Sequence, residues 1–306
     1  MRILIKDGRV IDPENGMDAV NDVYIVAGKI VAVGDGPDSF QANHVINARG
    51  LVVCPGLVDL SVRLREPGLQ YKATLESEMK AAAAGGVTSL ACPPDTDPPL
   101  DEPGLVEMLK DRARSLNQAH VYPIGALTQG LKGERLTEMA ELYEAGCVAF
   151  SQSDKLLLGS RVMMQAMQYA STFNFRVWLR PEDDGIADSG VAHDGEVATR
   201  LGLPAIPVCA ETIALSKIIL IAKGTGAKVH LCRISSAEGV AMVRGAKQQG
   251  LPITRDVAVN HIHLSEMDIS FFDSNCHLIP PLRGISDRDA LRSGLADGTI
   301  DAVCSD

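Results

Sequence analysis

The sequence predicts an α/β protein in which a (β/α)8 barrel follows a small β module. Short β-branched segments separated by turn residues fill residues 1–54, and eight strand-like segments then alternate with helical ones over residues 55–306. Strands that alternate with helices pair in parallel through right-handed crossovers, and eight such units close into a barrel. A doubly wound open sheet is the alternative, but no Gly-x-Gly-x-x-Gly motif follows any strand-like segment.

The β module is predicted to be an antiparallel sheet or part of one. Its β-branched runs, such as residues 3–5, 23–26 and 30–33, are separated by Asp-Gly, Glu-Asn-Gly and Ala-Gly-Lys sequences. Short strands with turns of this kind are typical of hairpins.

The barrel domain is predicted from local periodicity. Glycines at 85, 146, 224 and 250 stand where helices are expected to end. The chain stops directly after the eighth strand-like segment, where a covering helix normally follows, so we expect the barrel to be truncated. The predicted strands are 57–64, 87–92, 121–126, 147–150, 175–179, 228–234, 253–259 and 300–304, and the predicted helices are 74–84, 104–116, 136–144, 160–170, 210–222, 237–248 and 287–295.

Composition excludes several classes of protein. The formal net charge of −10 argues against binding to nucleic acid or to an anionic membrane surface, both of which require a basic face. No apolar run approaches the roughly 18 residues of a membrane span, and no secretory signal opens the chain. The seven cysteines stand singly without a Cys-x-x-Cys pair, as in a cytoplasmic protein with reduced thiols. We therefore expect a soluble, cytoplasmic protein.

The motifs at the predicted strand ends resemble those of one enzyme family. The segment Pro55–Gly68, with the sequence PGLVDLSVRLREPG, is similar to the first-strand signature of the dihydroorotases, in the amidohydrolase superfamily. The resemblance implies a TIM-type barrel, and a β sandwich completed by residues that follow the barrel. It is collinear over essentially the whole chain and extends through PPDT at 93–96, AFS at 149–151, Glu182-Asp183, HLCRIS at 230–235, PPLR at 280–283 and ADGTID at 296–301.

The resemblance also implies a zinc site, but this sequence departs from its ligand pattern. Active members bind zinc through Asp-x-His-x-His-x-Arg on the first strand, where alternate histidines face the same ion. Here Asp59 and Arg65 remain, whereas Ser61 and Arg63 replace the two histidines. The bridging ligand after the fourth strand corresponds best to Gln152. A shift of one or two residues would offer Ser153 or Asp154 instead.

Two further histidine ligands of the family correspond to Arg180 and Arg233, so only the strand-eight aspartate, Asp306, survives as the family's general base and last ligand. Five of the six ligand positions have changed, and guanidinium groups have no lone pair to offer a metal. We therefore expect no zinc and no catalytic residues. The remaining traces of the family's active site are Asp306, Arg65 at the position that binds the substrate carboxylate, and Asp95 in place of a substrate-binding asparagine.

The sequence gives less support for a metal site formed by other histidines. His261 and His263 stand two residues apart after the seventh strand, but zinc there would need further ligands. The other histidines are interpreted as surface or loop residues.

The three arginines at the former ligand positions require counter-charge, because an unpaired buried ion costs several kcal/mol. We expect an ion-pair cluster that draws on Asp59, Asp95, Glu182 and Asp306, with Asp306 bonded to at least one arginine. An anion from solution is the alternative source of negative charge.

Three functions remain open. The favoured one is a non-catalytic dihydroorotase-like protein of pyrimidine synthesis. The resemblance implies that such a chain assembles with the catalytic chain of aspartate carbamoyltransferase as a hetero-oligomer and stabilises or activates it. The alternatives are a divergent metal-dependent cyclic amide hydrolase and a sensor of an anionic metabolite.

Overall fold

The computed structural model describes residues 1–154 and 159–305. The chain divides into two compact units, Met1–Leu57 and Val58–Asp306. The structural boundary thus falls three residues after the boundary at residue 54 that the sequence suggests.

The first unit is a mixed five-stranded sheet. Its strands are β1 (Arg2–Asp12), β2 (Met17–Val26), β3 (Lys29–Val33), β4 (His44–Asn47) and β5 (Val52–Val53). The β1–β2 and β2–β3 pairs are antiparallel as predicted, but β4 and β5 pair with β1 in parallel. The prediction of an antiparallel module was incomplete because a long connection after β3 brings β4 to the other edge of β1.

The second unit is built on a parallel sheet of eight strands, in which hydrogen-bonded neighbours follow the order of the chain. Ser305 donates its backbone N–H to the Asp59 carboxylate at 3.1 Å, which links the carboxyl ends of the first and last barrel strands. The predicted (β/α)8 architecture is therefore confirmed as a nearly closed barrel. Its strands are β6 (Leu57–Asp59), β7 (Val87–Cys92), β8 (His120–Ala126), β9 (Ala149–Ser151), β10 (Arg176–Leu179), β13 (Lys228–Leu231), β14 (Ile253–Ala258) and β15 (Ala302–Cys304).

Some of the helices between these strands begin at a capping residue. Thr74 accepts a hydrogen bond from the Ser77 N–H at the start of the first helix, and Ser236 accepts one from Gly239. The longest helix ends at Gly226 rather than at the predicted Gly224. The helices are α1 (Leu75–Ala84), α2 (Pro103–Leu116), α3 (Met139–Ala145), α4 (Ser160–Thr172), α5 (Asp184–Ala187), α6 (Glu196–Leu201), α7 (Val208–Thr225), α8 (Ala237–Gln248) and α9 (Ile285–Ala296).

The segment between β10 and α7 is more ordered than the sequence suggests. The Gly, Asp and Ser residues of the segment 185–195 are typical of an exposed loop, but Ala187 and Ala192 are buried. Two short strands, β11 (Ala192–His193) and β12 (Ala205–Ile206), pair in parallel within it. These elements are too short for periodicity to reveal them.

A continuous apolar core lies between the barrel strands and their helices. Phe150 on β9 is fully buried in it, and its ring centroid lies 5.2 Å from that of Phe175. Among residues 1–154 and 159–305, no helix has the length and apolarity that a membrane span needs.

We expect Phe150→Ala to lower the free energy of unfolding by about 3–5 kcal/mol, because it removes a fully buried ring and leaves a cavity. Phe271→Ala is the matched control, since Phe271 is 91% exposed and its truncation should change stability by less than about 0.5 kcal/mol. Chemical denaturation followed by circular dichroism measures both. Equal effects of the two substitutions would contradict this account of the core.

Candidate functional site

The three predicted arginines meet at the carboxyl-terminal mouth of the barrel. Arg63 lies four residues after β6, Arg180 directly follows β10, and Arg233 lies two residues after β13. Their side chains are only 16%, 5% and 5% exposed, respectively. Since the carboxyl ends of parallel strands share one rim of a barrel, residues distant in sequence converge there.

Asp154, in the turn after β9, is the residue on which the three arginines converge. Its Oδ2 lies 2.5 Å from Arg63 Nη2, and its Oδ1 forms an ion pair with Arg233 Nη2. Arg180 donates from Nη2 to the Asp154 backbone carbonyl, and its Nε lies 3.6 Å from Asp154 Oδ1. One residue thus joins the first, fourth, fifth and sixth barrel strands.

Two further carboxylates complete the arrangement. Asp95 Oδ2 accepts a hydrogen bond of 2.9 Å from Arg63 Nε, and Glu182 Oε2 lies 2.7 Å from Arg180 Nη1. We call these six residues the arginine cluster; three positive and three negative formal charges balance within it. Its members are Arg63, Asp95, Asp154, Arg180, Glu182 and Arg233.

The electrostatic environment of Asp154 favours its charged form. Burial by itself would raise the pKa of this carboxyl group, but the charges of Arg233, Arg63 and Arg180 outweigh burial and lower the pKa to about 2. A carboxylate with so low a pKa is a weak base. Asp154 is therefore an acceptor of ion pairs rather than a group that takes up protons near neutral pH.

Other predicted site residues lie outside the arginine cluster. Gln152 is buried and its Oε1 accepts a hydrogen bond from Thr128. Asp59 was expected to pair with an arginine. Instead its carboxylate accepts hydrogen bonds from the backbone N–H groups of Ser61 and Ser305, each at 3.1 Å. Asp306 lies outside the described residues.

The described residues at the family's metal positions do not fit a zinc ion. Arg63, Arg180 and Arg233 supply only donors there, and Gln152 is turned toward Thr128. The nearby acceptor, Asp154, is already shared among the three arginines. A divalent cation at this position would meet three fixed positive charges and would have to displace existing ion pairs.

Arg65, the expected carboxylate clamp, has a left-handed backbone with φ of 61°. Within residues 1–154 and 159–305 its guanidinium makes no hydrogen bond or ion pair. It therefore does not belong to the arginine cluster.

The histidine pair considered as an alternative metal site does not share a face. Residues 259–262 form a 3-10 turn, in which His261 is buried and His263 is exposed. His261 Nε2 donates toward the carbonyl oxygens of Pro280 and Pro281. Burial lowers the pKa of His261 to about 4, which keeps its ring neutral.

A second polar group, which the sequence did not reveal, lies beside the arginine cluster. His230 Nε2 is 3.0 Å from Asp256 Oδ2, and His230 Nδ1 is 2.9 Å from Thr254 Oγ1. The register of β13 and β14 places His230 opposite Thr254. The available signal was the pair Thr254 and Asp256, because polar residues two apart on one strand share a face of the sheet.

The loop after β13 is held by a buried carboxylate. Glu211 on α7 accepts hydrogen bonds from the backbone N–H and hydroxyl groups of both Ser235 and Ser236. These four bonds fix the chain directly after Arg233 and thereby help to position its guanidinium.

Little open space remains at the mouth of the barrel. The cavity bounded by Ser61, Arg63, Cys232, Arg233 and Asp256 has a volume of about 20 Å³, enough for about one water molecule. A larger cavity of about 640 Å³ opens beside the arginine cluster. Its charged lining residues are Lys132 and three carboxylates, Asp95, Glu134 and Asp154.

The chain is similar to known proteins over its whole length. Residues 50–239 match the family model described as dihydro-orotase-like. A dihydroorotase-like protein of Pseudomonas aeruginosa is 46% identical over 305 residues, which is 100% of this chain and 72% of that protein. A dihydroorotase of Citrifermentans bemidjiense is 41% identical over 306 residues, with the same coverage.

Solved structures share the fold. The L-hydantoinase (dihydropyrimidinase) of Arthrobacter aurescens superposes with a TM-score of 0.85 at 20% identity, covering 99% of this chain and 68% of that chain. A D-hydantoinase (dihydropyrimidinase) from Thermus sp. superposes with a TM-score of 0.77 at 22% identity, with the same coverage. Both support a barrel with an N-terminal sheet module.

We expect Asp154→Asn to lower the free energy of unfolding at pH 7 by about 2 kcal/mol, because the substitution keeps the shape but removes a charge shared by three arginines. The effect is smaller than the roughly 3–5 kcal/mol for breaking a fully buried pair, since the Asp154 side chain is 31% exposed. Urea denaturation of both proteins measures it.

The same pair of proteins should differ in pH dependence. The folded pKa of Asp154, about 2, lies below the unfolded value of about 3.9, so its stabilisation is present above about pH 4 and is lost as the pH falls toward 2. The stability difference between wild type and Asp154→Asn should therefore shrink over that interval. Asp38→Asn, at an exposed aspartate, is the control. A difference that stays constant with pH would contradict the role given to Asp154.

Proposed function

Because this chain belongs to the dihydroorotase-like family, we propose that it is a non-catalytic member of that family which serves another enzyme of pyrimidine synthesis. The single observation that carries the proposal is the arginine cluster at the family's metal positions. Its charges are balanced by the chain's own carboxylates. The mouth of the barrel is thus complete without a metal ion.

Among the described residues at the family's metal positions, none supplies a group that could carry out cyclic amide hydrolysis. In the family, zinc polarises the amide carbonyl and lowers the pKa of the attacking water. Here Asp154 has its pKa lowered to about 2 and is bound to arginines, so it is poorly suited to take a proton from water. The cavity bounded by Arg63 and Arg233, about 20 Å³, is far below the roughly 300 Å³ at which ligand pockets begin. The larger cavity of about 640 Å³ would present Asp95, Glu134 and Asp154, with Lys132 as its one cation, to a substrate carboxylate.

The proposed partner is the catalytic chain of aspartate carbamoyltransferase, with which this chain would form a hetero-oligomer in the cytoplasm. The resemblance to non-catalytic dihydroorotase-like chains supports this choice. It is consistent with a barrel whose apolar core is well packed while its mouth is closed by ion pairs. In this role the protein stabilises or activates its partner through surface contacts.

The two alternative functions receive less support. The arginine cluster offers no unpaired cationic group to a sensor of an anionic metabolite, because each of its arginines already has a carboxylate partner. Arg65, outside the cluster, is the remaining cationic candidate. The adjacent cavity of about 640 Å³ has three carboxylates against one lysine in its lining, which disfavours an anionic ligand. A relocated hydrolase would need a group at the mouth that activates a nucleophile, and Asp154, whose pKa is lowered to about 2, is poorly suited to that role.

We expect Ser61→His combined with Arg63→His to give no hydrolysis of dihydroorotate, with or without added zinc. Arg180 and Arg233 would still oppose the ion, and Asp95 would still oppose the substrate carboxylate. The wild-type chain, assayed in parallel, should also be inactive, and an active dihydroorotase is the positive control. Zinc-dependent turnover by the wild type would overturn the non-catalytic assignment. Turnover by the double variant alone would show that the remaining ligands have been misplaced.

We expect this chain and the catalytic chain of the cognate aspartate carbamoyltransferase to migrate as one larger species in sedimentation velocity at micromolar concentrations. The thermal midpoint of the carbamoyltransferase should shift with complex formation, because a ligand that binds only the native state stabilises it by mass action. A hydantoinase of the same fold serves as the control. Separate migration of the two chains would refute the proposed partnership.

A further inference from the structure

We propose that His230, Cys232 and Asp256 form a binding site for a thiophilic divalent cation of the zinc type. This site is distinct from the six family positions at 61, 63, 152, 180, 233 and 306. It does not depend on the proposed partner, because it concerns cation binding and not assembly or hydrolysis.

The geometry brings three different ligand atoms together from adjacent strands. One atom of each residue, the imidazole nitrogen, the thiol sulfur and a carboxylate oxygen, lies within 4.8 Å of the other two. His230 Nε2 and Asp256 Oδ2 are 3.0 Å apart. Two ligands about 2.1 Å from a tetrahedral ion are about 3.4 Å apart, so only a small opening of this pair admits the ion.

The donor set favours a borderline or soft cation. Nitrogen, sulfur and carboxylate ligands suit Zn²⁺ and Co²⁺, whereas Mg²⁺ requires an octahedron of oxygens. Three protein ligands with a fourth position left for solvent is a common arrangement for zinc. The cavity of about 20 Å³ is bounded by both Cys232 and Asp256 and has room for about one water molecule, which could serve as the solvent ligand.

The surroundings orient the ligands. His230 Nδ1 lies 2.9 Å from Thr254 Oγ1, and a hydroxyl group can accept as well as donate. Nδ1 can therefore carry the ring proton while Nε2 binds the ion, as in most metal-bound histidines. The Arg233 backbone N–H is 2.5 Å from Asp256 Oδ1, which holds the carboxylate and leaves Oδ2 facing His230.

The charge balance also permits a cation here. The Arg233 guanidinium is paired with Asp154 in the arginine cluster, which is neutral as a whole. Binding of a divalent ion would release the Cys232 thiol proton to solvent, so that the ion, the thiolate, the Asp256 carboxylate and the neutral imidazole together carry no net charge. The neutral set thus avoids the desolvation cost of an unbalanced ion.

The test uses Co²⁺ and the complete 306-residue chain. The sequence has one tryptophan, Trp178, whose ring centroid lies 4.6 Å from that of His230. Cobalt bound to His230 should therefore quench the fluorescence of Trp178, with one ion per chain at saturation. It should also give a thiolate-to-cobalt charge-transfer absorption, and Zn²⁺ but not excess Mg²⁺ should reverse both signals.

Cys232→Ser should abolish the charge-transfer absorption and weaken cobalt binding at least about tenfold. Cys209→Ser, at an exposed cysteine on α7, is the matched control and should behave as wild type. Asp256→Asn should also lose at least about tenfold in affinity, and it replaces Cys232→Ser if circular dichroism shows that variant to be misfolded. The proposal is overturned if the wild type shows no charge-transfer absorption, or if the folded variants bind cobalt as tightly as the wild type. Cobalt binding without dihydroorotate hydrolysis would support both this site and the non-catalytic function.

Discussion

The carboxylate of Asp154 is the interaction on which the closed mouth of the barrel depends. Guanidinium groups from the first, fifth and sixth barrel strands approach one another there, and each is largely removed from water. Like charges converge in this way only when negative charge stands between them. Asp154 supplies it at the centre, while Asp95 and Glu182 supply it at the periphery. The mouth is therefore held together by ion pairs between strands that are far apart in the sequence.

Much of the barrel could be predicted from the sequence because its signals are local. The helix Ala237–Gln248 and the strand Val87–Cys92 coincide with the predicted segments, since apolar periodicity and capping residues lie within each element. The central role of Asp154 was harder to predict. The strand β9 ends at Ser151, and Ser153 has a left-handed backbone with φ of 57°, so the alternation of side chains along the strand does not extend to Asp154. Gln152 accepts a hydrogen bond from Thr128, and Asp154 is the residue that reaches the arginines.

Contacts between side chains on different strands could not be predicted from the sequence either. The contact between His230 and Asp256 depends on the register of β13 against β14, which aligns His230 with Thr254. A sequence gives the spacing within each strand but not the offset between two parallel strands joined by a helix. Similarly, Asp59 was expected to neutralise an arginine, but it binds the backbone N–H groups of Ser61 and Ser305. Closure of the barrel, a long-range property, decides that role.

Arg233 connects the two polar groups at the mouth. Its backbone has a left-handed φ of 54°, which directs its N–H to Asp256, while its guanidinium pairs with Asp154 and donates to the Ile279 carbonyl oxygen at 3.1 Å. Substitution of either Asp154 or Asp256 would therefore change the position of Arg233, and through it the hydrogen bonding of the other aspartate. Replacing a single arginine by histidine would leave a carboxylate without its partner and the remaining arginines in place. The charge balance therefore belongs to the set of residues rather than to any one of them, and a single substitution would disturb all of it.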